Sequence, residues 1–391
     1  MRSRTIEKNS MCMLSMSLSQ MSIYTPINLE NSVNPHKTTK RRGIITAGVV
    51  ILCSLFFLLG RIGVSPSLRS ENIQAALEEP IHGKPDRPIV GILSLTLSDA
   101  FRDAHHIHRE DVKAVIPASY VRWLQSAGAQ VVVVPHFWPE SEIRNLVSKL
   151  SGILFTGGDY GDDAWNATTT IIFNEVIRRN GTDDPLALWA TCLGYERILQ
   201  IASHDNTNTV VKATVMDESL VVRWDTSRSS ESPFMKFMGA ETLSHFASHK
   251  IAYNFHFWGV TPDSWSVHSS SLDPLFQILG THNKQTLEFI AMIEGRNGLP
   301  IWGVQFHPEK ALFEWSPLLH YPHSEVSVLS NRKISDFFVG QVRRFSKIKT
   351  SKGFENFEDE SKFAIYNYPT IFTGEDINAT HSVFTETYII N

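Results

Sequence analysis

At 391 residues the chain has room for one large α/β domain or for several smaller ones, and a composition of 42% hydrophobic, 19% charged and 10% aromatic residues is that of a globular protein. A formal net charge of −4, with no basic stripe interleaved with aromatics, excludes the electrostatic footprint of a nucleic-acid binder. Of the three cysteines, Cys12, Cys53 and Cys192, only the last lies beyond residue 60, which excludes an intrachain disulfide there.

Residues 1–42 form a polar leader rich in Met, Ser, Thr and Asn that ends in the basic run Lys37, Lys40, Arg41 and Arg42. The next stretch, Gly43 to Gly60 (GIITAGVVILCSLFFLLG), carries no charge. As a helix it spans ~27 Å, close to the ~30 Å of a bilayer's hydrocarbon core. The expectation is a signal anchor or a cleavable signal peptide. The long leader favours the anchor, and Pro66 directly follows the small residues Gly63 and Ser65 of any cleavage site. Positive charge before the span places the N-terminus in the cytosol, so residues 61–391 are expected to face the secretory lumen or the outside. Sequons at Asn166, Asn180 and Asn378 are usable only on that side. A lone Cys192 in an oxidising compartment is a liability unless buried or useful.

Residues 61–86 read as a linker carrying Pro66, Pro80 and Pro85. From residue 87 short apolar runs alternate with amphipathic stretches. Strands are predicted at 88–93, 130–135, 152–155 and 186–190, the second a β-branched run suited to burial on both faces. Helices are predicted at 118–127, 139–150 and 167–179 and from Leu193 onward. This βαβα rhythm predicts a doubly wound, mainly parallel sheet flanked by helices, with any ligand at the carboxyl ends of its strands. Residues 203–285, rich in Ser, His and Asp, read as loops with short strands, and a hairpin-like pair is predicted at 287–294 and 299–306. The expected catalytic domain is 87–346, with a polar C-terminal extension, 347–391, packing on it.

The chemistry gathers in three places. In Leu188-Trp-Ala-Thr-Cys-Leu-Gly-Tyr-Glu196 an apolar strand runs into a cysteine and then a helical pattern, the layout of a nucleophile elbow, with Ala190 and Gly194 as its small flanks. A helix N-terminus behind Cys192 is expected to favour the thiolate; the bland alternative is a buried structural cysteine. In Val304-Gln-Phe-His-Pro-Glu-Lys310 a strand ends on His307, and Glu309 stands two residues on, able to orient an imidazole. In Gly152-Ile-Leu-Phe-Thr-Gly-Gly158 the paired glycines let backbone N–H groups approach an oxyanion, or simply end a strand.

These three motifs in this order resemble the γ-glutamyl hydrolases, a class I glutamine-amidotransferase-like family of cysteine peptidases. ASYVRWLQSAGAQVVVVP at 118–135, NFHFW at 254–258, ALFEW at 311–315 and AIYNYPTIFTG at 364–374 are similar to the same family, so the likeness covers about 87–374. The resemblance implies a flavodoxin-like core and hydrolysis of γ-glutamyl amide bonds in folyl-poly-γ-glutamates through a thioester, without metal or organic cofactor. It implies Cys192 as nucleophile, His307 as base and acid, Glu309 as orienting carboxylate and His256 as a substrate-site histidine. Gly157, Gly158 and Leu193 would bind substrate through their backbone. Two residues depart from the family pattern, Ala190 for a usual Gly and Thr156 for a usual Pro, with a modest geometric effect expected. The family implies a vacuolar, lysosomal or secreted enzyme if segment 43–60 is cleaved, and leaves a homodimer open. A glutaminase subunit serving a synthetase, and a non-catalytic binding module of the same fold, are the other readings.

Overall fold

In this computed structural model the described residues are 87–391 except 206, 229–230, 317, 349–352 and 375–383. The leader, the apolar segment 43–60 and the linker lie outside them, as does Asn378. Among the described residues no helix is long and apolar enough to cross a membrane.

The chain enters on β1 (Ile89–Leu93), then β2 (Leu95–Thr96), β3 (Ala114–Pro117), α1 (Ala118–Ser126), β4 (Gln130–Val134), α2 (Glu140–Ser148), β5 (Gly152–Phe155), α3 (Asp163–Arg179), β6 (Ala187–Thr191) and α4 (Leu193–Ser203). The second half holds β7 (Val211–Leu220), β8 (Arg223–Trp224), α5 (Pro233–Ser248), β9 (Ala252–Gly259), β10 (Phe276–Lys284), β11 (Leu287–Gly295), β12 (Ile301–Val304), α6 (Lys310–Phe313), α7 (Glu325–Ile348), β13 (Thr370–Phe372) and β14 (Glu386–Ile390). Eight strands form the main sheet in the order β4-β1-β5-β6-β12-β11-β10-β8, parallel from β4 to β12 and antiparallel beyond. The doubly wound, mainly parallel sheet is therefore present.

Successive side chains of a strand point to opposite faces, and here both faces are covered. Leu154 and Trp189 join a core with Trp123 of α1 and Phe337, Phe338 and Val342 of α7. Ile153, Phe155 and Leu188 pack on the other side against Ile143 and Leu146 of α2, Ile172 and Phe173 of α3, and Ile198 of α4. Burial on both sides explains why these strands read as continuous apolar runs.

The stretch 203–285 is not the loop region expected. It contains a sixteen-residue helix, α5, and strands of ten, eight and nine residues, β7, β9 and β10. The helix escaped notice because Gly239 breaks it at φ 70°, ψ 162°, which disrupts the apolar period. In the β7–β9 ribbon two register shifts scramble the alternation of polar and apolar residues. The hairpin-like pair is present as β11 and β12, antiparallel from Met292↔Val304 to Glu294↔Trp302. At the C-terminus α7 runs through 346 and 347, where a boundary was expected, and β14 pairs antiparallel with β3 from Thr387↔Pro117 to Ile390↔Ala114.

Candidate active site

The site arises where two neighbouring parallel strands end. β6 and β12 run in register from Leu188↔Ile301 to Thr191↔Val304. Cys192 follows the first strand directly and His307 leaves the second three residues after Val304. The Cys192 N–H donates to the Val304 carbonyl at 2.9 Å, and the His307 N–H donates to Tyr253 O of β9 at 2.8 Å.

Cys192 caps α4 with φ 49° and ψ −109°, a left-handed conformation that an L-residue holds only under constraint. The elbow is thus real, and Ala190 is accommodated within β6, fully buried between Phe155 of β5 and Gly303 of β12. Gly194 is demanded by close approach: a Cβ there meets Phe155 Cβ at 2.6 Å and Phe155 O at 2.8 Å, and its N–H donates to Thr156 O at 3.1 Å. Gly194→Ala is therefore expected to cost about 1–3 kcal/mol in a urea melt and to lower turnover, since the packing around it cannot yield cheaply. A variant with unchanged melt and unchanged turnover would show that α4 and β5 separate freely.

His307 is 1% exposed and Glu309 is fully buried. Nδ1 of His307 lies 2.8 Å from Glu309 Oε1. A carboxylate only accepts, so Nδ1 carries the proton. That tautomer leaves Nε2, which has no hydrogen-bond partner among the described residues, as the basic nitrogen. The two catalytic candidates meet at Gly157, where a Cβ would lie 2.7 Å from His307 Cε1 and 3.1 Å from Cys192 Cβ.

The expectation of a resting thiolate is not met. Burial pushes the Cys192 thiol well above its ordinary value and the Glu196 carboxyl adds to this, while the Lys310 ammonium and the Leu193 N–H oppose it. Desolvation of a sulfur on a residue only 5% exposed outweighs the field of one helix end. Burial likewise lowers the His307 imidazole, against the pull of Glu309. Both shifts favour the uncharged forms, thiol and neutral imidazole.

Of the backbone donors, the Gly157 N–H is taken by Tyr120 Oη at 2.8 Å. The Gly157 N–H is thus engaged internally, and of the other expected donors the Leu193 N–H is the one that bears on the Cys192 sulfur. His256, on β9 opposite Val215 of β7, is 5% exposed. Its Nε2 lies 3.3 Å from Asn254 Oδ1 and its Nδ1 has no partner among the described residues. Burial drives it down to about 3, with nearby His307 adding to the shift, so it is neutral at any working pH.

Three residues of this site carried no expected role. Tyr120, the third residue of α1, is 1% exposed and its Oη also sits 3.2 Å from His307 Nδ1. Lys310 is fully buried, its Nζ over the rings of Phe384 at 4.6 Å and of Tyr321, Tyr253 and Phe255 at 5.6–5.8 Å. Glu196 is buried one turn after the nucleophile and accepts from Gln305 Nε2 at 2.9 Å. A lysine opening a helix and a glutamate within one ordinarily read as solvated, and nothing local to their sequence reveals the enclosure.

Burial raises Glu196 to about 7, against the hydrogen bond from Gln305. A carboxyl raised in the folded state stabilises fully below its unfolded value near 4.5, and that contribution is lost as pH rises through 7. Glu196→Gln, which keeps an acceptor for Gln305, is expected to gain roughly 3 kcal/mol relative to wild type between pH 4.5 and 8, read from melts at both. A difference that stays flat across that range would place the raised carboxyl elsewhere.

The family model described as Peptidase C26 matches residues 88–309, more than half of the chain and both halves of this site. The chain belongs to the peptidase C26 family. It is 29% identical over 321 residues to the gamma-glutamyl hydrolase of Bos taurus, covering 81% of this chain and 93% of that protein. To the gamma-glutamyl hydrolase of Mus musculus it is 28% identical over 302 residues, covering 76% and 89%. Among solved structures the glutaminase domain of Trypanosoma brucei CTPS with bound acivicin aligns at a TM-score of 0.44 and 11% identity, over 68% of this chain and 97% of that one. As a C26 member the chain is a cysteine-type hydrolase, in keeping with an elbow cysteine and a carboxylate-held imidazole in one pocket.

Two of the expected glycosylation sites, Asn166 and Asn180, fall among the described residues. Asn180 is exposed at the C-cap of α3. Asn166 is half-buried in that helix's first turn, and the hydroxyl of its sequon's Thr168 is buried and donates to His136 O at 2.8 Å.

Proposed function

We propose that this C26 hydrolase cleaves γ-glutamyl amide bonds, with folyl-poly-γ-glutamates as substrates. The observation that carries the reading is the meeting of the Cys192 elbow and the His307–Glu309 pair at Gly157, in a chain whose relatives are gamma-glutamyl hydrolases. In this mechanism the substrate's γ-carbonyl enters beside the sulfur. As Sγ attacks, His307 Nε2 takes its proton, so the thiolate exists only while the C–S bond forms. The Gly158 and Leu193 N–H groups receive the oxyanion. Nε2 then returns the proton to the leaving nitrogen, the C–N bond breaks, and a glutamyl thioester remains. Water, deprotonated by Nε2, releases the acid and restores the thiol. Glu309 holds the imidazole tautomer throughout and stabilises its transient charge. His256, buried near His307, is assigned to the substrate side of the site.

The test is product analysis by mass spectrometry after incubating the full chain with a synthetic folyl-poly-γ-glutamate. Release of glutamate or of γ-linked glutamyl peptides is expected, with an α-linked analogue left intact. Ammonia release from glutamine without cleavage of the polymer would turn the reading to a glutaminase.

The same reading places the enzyme in the secretory pathway. Expressed in a eukaryotic cell, the full chain is expected to gain an endoglycosidase-sensitive glycan, with Asn180 the best-exposed described acceptor. Carbonate extraction separates the two forms of the N-terminal segment: retention with membranes marks an anchor, and a soluble product starting near residue 65 marks a cleaved signal. A full-length product without any glycan would oppose the lumenal placement.

A further inference from the structure

Tyr120 brings together two parts of the site that are distant in sequence. Its Oη accepts the Gly157 N–H at 2.8 Å and lies 3.2 Å from His307 Nδ1, whose own proton is directed to Glu309 at 2.8 Å. One oxygen thus contacts both the glycine loop that presents the Gly158 donor and the imidazole that handles the proton. We propose that Tyr120 is a positioning residue of this hydrolase, tying the Gly157–Gly158 loop to the His307–Glu309 pair so that the oxyanion donors and the general base keep their register. The proposal rests on the cysteine-hydrolase reading, though not on the identity of the substrate.

Packing alone does not account for a hydroxyl here. The ring lies in the main core, 6.4 Å from Phe384 centroid to centroid, where a phenylalanine would serve as well and would carry no polar atom into the interior. The phenol is enclosed, and burial, with Glu309 and Cys192 beside it, holds it firmly protonated. It therefore supplies a fixed neutral dipole and not a second base. The fit around it is tight, because a Cβ on Gly157 would fall 2.7 Å from Tyr120 Oη as well as 2.7 Å from His307 Cε1. Glycine at 157 is thus what allows the loop to reach the phenol and imidazole together. α1 fixes the tyrosine in turn: it starts directly after β3, and Trp123 on the same helix is anchored by Nε1 donating to Asn331 O at 3.3 Å.

The experiment compares full-length wild type, Tyr120→Phe, Gly157→Ala and the double variant. Three quantities are read: kcat and KM on a folyl-poly-γ-glutamate, the rate of Cys192 alkylation by iodoacetamide across pH, and the melting temperature. Tyr120→Phe is expected to lower kcat about 10- to 100-fold with KM changed less than about threefold, as loss of alignment acts on the transition state. Alkylation should slow at least about fivefold with an altered pH profile, since it draws on the same proton transfer without needing a glutamyl substrate. Gly157→Ala should show the same signature, and the double variant should lose less than the product of the two single losses, because both break one junction. A lowered melting temperature with unchanged kcat and alkylation profile would reduce the hydroxyl to packing and overturn the proposal, as would strictly multiplicative losses in the double variant. Should Tyr120→Phe fail to fold, the kcat and alkylation profile of Gly157→Ala decide alone, and wild-type values there overturn it. If wild type leaves the polyglutamate intact while alkylation still slows in Tyr120→Phe, the substrate assignment falls and the role of Tyr120 stands.

Discussion

Cys192→Ala is expected to remove hydrolysis, by at least about 10⁴-fold in kcat, while leaving a folded chain. Every bond-making step in the mechanism passes through the sulfur, and no second cysteine is present among the described residues to replace it. The structural cost is small: the side chain loses one atom, and the left-handed backbone at 192 is no harder for alanine than for cysteine. Stability should therefore change by about 1 kcal/mol at most. The check is kcat on a folyl-poly-γ-glutamate beside a thermal melt of the same preparation. Turnover within tenfold of wild type in a folded variant would end the cysteine-hydrolase reading of this site.

His307→Asn is the second large effect, expected at about 10³-fold in kcat. In the proposed mechanism the imidazole acts as base toward the thiol, acid toward the leaving nitrogen and base toward water. Because burial pushes the Cys192 thiol well up, there is no standing thiolate to bypass the base. The loss should therefore persist on raising the pH toward 9. It is accompanied by some loss of stability, because Glu309, fully buried, gives up its 2.8 Å partner. Single-turnover kinetics separate the two halves: both acylation and thioester hydrolysis should slow. A loss smaller than tenfold would locate the base elsewhere, with His256 the first candidate, given its nearness to His307 and an Nδ1 without a hydrogen-bond partner among the described residues.

The parts of the site that were legible in the sequence are those whose chemistry and location are both local. An apolar strand running into Cys-Leu-Gly marks an elbow, and a strand ending on His-Pro-Glu marks an imidazole with a carboxylate two residues away. Glu309 reaches His307 at 2.8 Å because only one proline separates them, a relation that the chain itself fixes. The parallel half of the sheet was legible for the same reason, since strands buried on both faces are written as unbroken runs such as Gln130–Val134. The ribbon and helix of 203–285 were not, because register shifts in β7 and the break at Gly239 erase the periods by which such elements are read.

By itself, then, the sequence determined the fold class and the family resemblance, and pointed to Cys192, His307 and Glu309 as candidate nucleophile, base and orienting acid. The tertiary structure decided how they work. Pairing of β6 with β12 brings Cys192 and His307 to one sheet end across more than a hundred residues. Closure of the core around them pushes the Cys192 thiol up where the helix alone would favour thiolate, because the cost of desolvation depends on everything packed nearby and not on the helix that follows. The same closure buries Lys310 among four aromatic rings and sets Tyr120 against both Gly157 and His307. These contacts join segments that no local period or motif spacing connects, so only the folded arrangement creates them.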